Sequence, residues 1–140
     1  MSQLTIKELT NIIHQNAVDH GWWEQKRNVP EIVALIHSEV SEVLEEYRNG
    51  KELTETYYSG SLKEFSTETI VVSKVPCLMT NFKNSDIECR KPEGIPAELA
   101  DIVIRVMDFC GYAGIDLESA IIQKHEYNVT RPYKHGGKKT

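Results

Sequence analysis

The sequence predicts an all-α fold of four to five helices, interrupted by one inserted segment. Three observations predict it. Apolar residues recur at helical spacing in four separate stretches. The stretches are bounded by capping residues at their starts and by Gly, Asn or Pro at their ends. Between the second and third, residues 51–95 lose the helical period, and aromatic and β-branched residues take over. A chain of 140 residues suits one domain with one core.

Helix one opens at Thr5, which has capping-box spacing to Glu8. Leu9, Ile12, Ile13 and Ala17 follow at helical intervals, and Gly21 ends the run. Trp22 and Trp23 form a short connection. Helix two has Asn28 as its cap, Pro30 in its first turn and Asn49-Gly50 at its end. Its apolar stripe is Ile32, Ile36, Val40, Val43 and Tyr47.

In residues 51–95, Tyr57, Tyr58, Phe65, Thr67, Thr69, Ile70, Val71 and Val72 are strand-prone. Ser59-Gly60-Ser61 and Asn84-Ser85-Asp86 read as turns, so the insertion is expected to hold a hairpin or a loose lid. Helix three is expected from Pro96 to about Cys110-Gly111. It is apolar almost all round, as in the middle of a bundle or at an oligomer interface. Its polar residues Glu98, Asp101, Arg105 and Asp108 are spaced 3, 4 and 3 and share one seam. Helix four begins after Asp116 and runs to about Asn128, with Leu117 and Ile121 on its buried face. Pro132 stops it, and residues 132–140 form a basic tail with Lys134, Lys138 and Lys139.

Composition narrows the function. A net charge of −5 argues against general nucleic-acid affinity. No stretch is apolar for long enough to cross a membrane, and Ser2 to His20 lacks the apolar block of a secretory signal. Cys77, Cys89 and Cys110 are odd in number and lack C-x-x-C spacing, which favours a reducing cytoplasm over a disulfide framework or zinc site. The sequon at Asn128-Val129-Thr130 is read as chance.

Chemistry concentrates in two acidic pairs. Glu39 and Glu42 form E-x-x-E on helix two; Glu98 and Asp101 form E-x-x-D on helix three. Residues three apart share a helix face. Glu45 lies opposite the apolar stripe and, with Glu46, belongs at least in part to a solvated face. Helix three has little solvent face, so its carboxylates need partners. Arg105 can neutralise one, which would make the acids purely structural. A divalent cation can balance several. No histidine stands three residues after a glutamate, which disfavours a di-iron centre and favours Mg²⁺ or Mn²⁺ in an all-oxygen site.

Lys124, Asn128 and Arg131 lie on one face at spacings of 4 and 3. They read either as snorkelling cations at a helix C-terminus or as a phosphate clamp. Trp23 either closes the core beside its turn or stacks on a base. No P-loop, Ser-His-Asp or Cys-His arrangement is present.

Together, His37-Ser38-Glu39-Val40-Ser41-Glu42, Glu98-Leu99-Ala100-Asp101 and Lys124-His125-Glu126-Tyr127-Asn128 resemble the MazG-like nucleotide pyrophosphohydrolases of the all-α NTP pyrophosphatase superfamily. Arg131-Pro132-Tyr133-Lys134-His135-Gly136 also resembles the end of some members. Many members carry a doubled glutamate in the first motif; here Ser38 precedes Glu39 and Val43 follows Glu42. The resemblance implies a helical bundle, a homodimer or homotetramer, and Mg²⁺-dependent hydrolysis of a nucleoside triphosphate to the monophosphate and pyrophosphate. It assigns the metal to Glu39, Glu42, Glu98 and Asp101, and phosphate or sugar contacts to Lys124 and Asn128. A non-catalytic nucleotide-binding module on the same fold is the alternative.

Overall fold

A computed structural model describes residues 3–59, 70–71 and 91–133 of the chain. Among them run α1 (Ile6–Asp19), α2 (Val29–Arg48), β1 (Tyr57–Ser59), β2 (Ile70–Val71), β3 (Lys91–Glu93), α3 (Ile95–Ala113) and α4 (Leu117–Val129). The described chain is therefore mainly helical, with four helices and one small sheet. Lys134 to Thr140, Cys77, Cys89, Phe65, Thr67, Thr69, Val72 and the second expected turn lie outside the described residues. So do Gly60 and Ser61 of the first. None of the described helices is long and apolar enough to cross a membrane.

Local chemistry explains the helix ends. Thr5 Oγ1 accepts from the Glu8 amide at 3.1 Å, and Glu8 Oε2 accepts from the Thr5 amide at 2.8 Å. That reciprocal pair closes α1 at its start. Asp116 caps α4 by accepting from the Ser119 amide at 3.0 Å. The bonds from Thr5 and from Ser119 hold the Glu8 and Asp116 carboxyls below their ordinary pKa values. Gly50, at φ 79°, turns the chain out of α2.

Two boundaries differ from the sequence reading. α3 starts at Ile95 and continues to Ala113, past Cys110-Gly111. Gly111 lies within the helix, and its missing side chain leaves room for a neighbour: an added Cβ would lie 2.5 Å from Cβ of His14. α4 has no buried residue; Ile121 is exposed, and Leu117 and Glu118 are half-buried.

The insertion does contain a hairpin-like sheet. Its order is β2-β1-β3, with both pairings antiparallel. Tyr57 faces Val71 on one side and Glu93 on the other. β1 thus joins the segment that follows α2 to the segment that enters α3.

The described residues within Met1–Asn28 and Ile104–Thr140 make one compact unit, and those within Val29–Val103 make another. In the first, Thr10, Met107 and Cys110 are buried, and the Lys7 amide donates to Glu118 Oε2 at 3.0 Å. In the second, Ile32, Ile95 and Glu98 are buried. Val29, Val33, Val40, Leu44 and Tyr47 recur at spacings of 4, 7, 4 and 3 on one face of α2, and all are exposed. Leu99 and Val103 of α3 are exposed too.

Candidate functional site

α2 and the first two turns of α3 carry the acidic residues. Gly94 starts α3: its carbonyl accepts from the amides of Ala97 at 2.9 Å and Glu98 at 3.1 Å. This fixes Glu98 in the first turn, with Asp101 one turn on. One carboxylate oxygen each from Glu39, Glu98 and Asp101 lie within 4.8 Å of one another. Glu98 is buried, and Glu39 and Asp101 are half-buried. Glu42 is exposed and does not belong to this three-oxygen set.

The electrostatics follow from that crowding. Burial pushes the Glu98 carboxyl above its ordinary pKa, and the charge of Asp101 pushes it further. Lys91 acts in the opposite direction, and Glu39 and Glu42 add to the rise. Glu98 therefore carries its negative charge at a cost among these neighbours.

The donor set fits a hard divalent cation. Two Glu and one Asp offer oxygen alone, without sulfur or imidazole. Opposite oxygens on a Mg²⁺ are separated by about 4.2 Å, twice a metal–oxygen distance of ~2.1 Å. A cation there would also relieve the repulsion that raises the Glu98 pKa.

Lys124, Asn128 and Arg131 are exposed on and just beyond α4. Tyr127 lies between the two cations: Lys124 Nζ is 5.3 Å and Arg131 Cζ 6.0 Å from its ring centroid. The two positive groups thus both approach one ring.

Trp23 takes part in a network that the sequence did not reveal. Asp108 Oδ1 accepts from Trp23 Nε1 at 2.9 Å and pairs with His14 Nδ1 at 2.8 Å. Tyr112 stacks on the Trp23 ring at 4.1 Å between centroids, and His14 meets it edge-on at 5.6 Å. One face of the indole is therefore covered by Tyr112. His14 and Asp108 are 94 residues apart, so no local signal could have paired them. The side chain of Asp108→Leu accepts no hydrogen bond, which strands both the indole N–H and the imidazole. We expect a loss of about 2 kcal/mol in urea unfolding. A change below ~0.5 kcal/mol would remove Asp108 from the fold's supports.

Glu46 is a correction. It is half-buried rather than solvated, and both its oxygens accept from the Tyr57 hydroxyl, at 3.0 and 3.1 Å. Glu45 is exposed, as expected. Cys110 is buried and free, and burial pushes its thiol pKa up, which suits packing rather than nucleophilic chemistry. The chain matches no family model, no curated protein and no solved structure.

Proposed function

We propose that the chain is a MazG-like nucleotide pyrophosphohydrolase that converts a nucleoside triphosphate to the monophosphate and pyrophosphate with Mg²⁺ or Mn²⁺. The observation that carries this reading is the convergence of Glu39, Glu98 and Asp101 in an all-oxygen set. These three residues hold the metal. When bound, the metal supplies charge stabilisation at the phosphoryl oxygens and orients a water. Glu42, exposed and outside the set, is the carboxylate left to accept that water's proton. Lys124 and Arg131 supply cationic donors to phosphate, and Asn128 supplies an amide that orients the substrate. In this reading Trp23 contributes an aromatic surface to the base. The apolar stripe on α2 supports a homodimer or homotetramer, because an apolar face of that extent is seldom left to water.

The test is pyrophosphate release from a panel of NTPs and dNTPs with Mg²⁺. Asp101→Asn and Glu42→Gln should each lower the rate about 100-fold or more. Undiminished release from either variant would refute the role given to that residue. Nucleotide binding by calorimetry without any product would favour the non-catalytic module instead.

A further inference from the structure

We infer that Tyr57 is a positioning residue, and that the inserted sheet braces the metal-binding carboxylates through the hydrogen bond from Tyr57 to Glu46. The inference rests on the metal reading above and deepens it.

The structural path is continuous within one compact unit. Glu46 lies on α2, seven residues beyond Glu39, close to the same helix face. The Tyr57 hydroxyl bridges both its oxygens, at 3.0 and 3.1 Å. Tyr57 also pairs with Glu93 across the β1–β3 ladder. Gly94 follows Glu93, and its carbonyl receives the Glu98 amide at 3.1 Å. The chain of contacts thus runs from the acidic face of α2 to the backbone of Glu98.

The contact is well supported on both sides. Lys51 Nζ sits 3.9 Å from the Tyr57 ring centroid and reaches Glu55 Oε1 at 3.6 Å. Burial, followed by the bond to Glu46, holds the phenol well above its ordinary pKa, so it stays a donor at neutral pH. Tight spacing across the sheet leaves little slack: a Cβ on Gly94 would lie 2.5 Å from the Glu55 carbonyl oxygen. Metal affinity depends on ligand oxygens being held in place by their surroundings. A brace joining α2 to the start of α3 fixes the separation of Glu39 from Glu98 and Asp101. The Tyr57–Glu46 contact and the β1–β3 ladder therefore act on the site through the scaffold.

The test uses the full chain and Mn²⁺ alone, read by electron paramagnetic resonance. Tyr57→Phe keeps the ring under Lys51 and removes only the hydroxyl. It should weaken Mn²⁺ binding roughly tenfold. Glu46→Ala should do the same. Glu46→Gln should stay within about twofold of wild type, because its amide oxygen still accepts from Tyr57. In turnover, Tyr57→Phe should raise the Mg²⁺ concentration needed for half-maximal rate and leave the rate at saturating Mg²⁺ near wild type. If wild type binds Mn²⁺ and both Tyr57→Phe and Glu46→Ala bind it equally well, the brace is refuted and the metal site stands. Glu46→Gln as weak as Glu46→Ala would refute it as well, since the charge and not the hydrogen bond would then matter. If wild type itself binds no Mn²⁺, the metal reading fails, and the brace fails with it.

Discussion

Glu98→Gln should stabilise the metal-free protein while abolishing pyrophosphate release. The two effects have one cause. Glu98 is buried beside Asp101, with Glu39 and Glu42 near, and its carboxyl pKa is raised by burial first and Asp101 second. A group whose folded pKa exceeds its unfolded value binds its proton more tightly in the folded state. Its contribution to stability is full below the unfolded pKa and is lost as pH rises through the folded one. Above its raised folded pKa the wild-type carboxylate is ionised among like charges. Glutamine keeps the shape and removes the charge. Without metal, the variant's Tm should exceed that of wild type by roughly 2–5 °C at pH 7. The difference should shrink as pH falls through the carboxylate range. Mg²⁺ should raise the Tm of wild type and leave the variant nearly unmoved, because a ligand stabilises only the state that binds it. Pyrophosphate release should fall about 100-fold or more. A variant less stable than wild type at pH 7 without metal would contradict this electrostatic account.

Gly94→Ala should cost on the order of 3 kcal/mol in urea unfolding. Gly94 has φ 104°, a conformation L side chains rarely adopt. An added Cβ would also lie 2.5 Å from the Glu55 carbonyl oxygen, a backbone atom that cannot rotate away. The backbone at Glu55 or Gly94 must therefore move, and Gly94 is the residue on which the first turn of α3 hangs. The variant should lose metal affinity together with stability. A loss below ~1 kcal/mol would mean that the sheet yields freely at this point.

How far the fold was legible depended on how local each cause was. Thr5 and Glu8, and Asp116 before α4, act over three residues, and the structure has their predicted caps. The start and end of α2 were equally plain, because Pro30 and Asn49-Gly50 act on their own backbone. The end of α3 was misread because Gly111 looks like a stop. What calls for glycine there is the approach of His14, far away in sequence. β-prone residues announced strands in the insertion, but nothing local pairs Tyr57 with Glu93 across more than thirty residues.

The candidate site follows the same rule. Spacing put Glu98 and Asp101 on one face, and Glu39 joins them. Glu42 is three residues from Glu39, which turns it about 60° around the helix. Periodicity alone could not say which of the two would join the three-oxygen set. The sequence places Glu46 at least in part on a solvated face, because its acceptor role depends on Tyr57, which the β1 strand brings in. His14 and Asp108 were missed for the same reason. In each case the sequence supplied the side chain, and a distant segment supplied the partner.

The most direct measurement is phosphorus NMR of a panel of NTPs and dNTPs incubated with the full chain and Mg²⁺. The account predicts that pyrophosphate and nucleoside monophosphate appear together in equal amounts from at least one nucleotide, and that chelating the metal stops them. Inorganic phosphate with the diphosphate, or no product from any nucleotide, would contradict it.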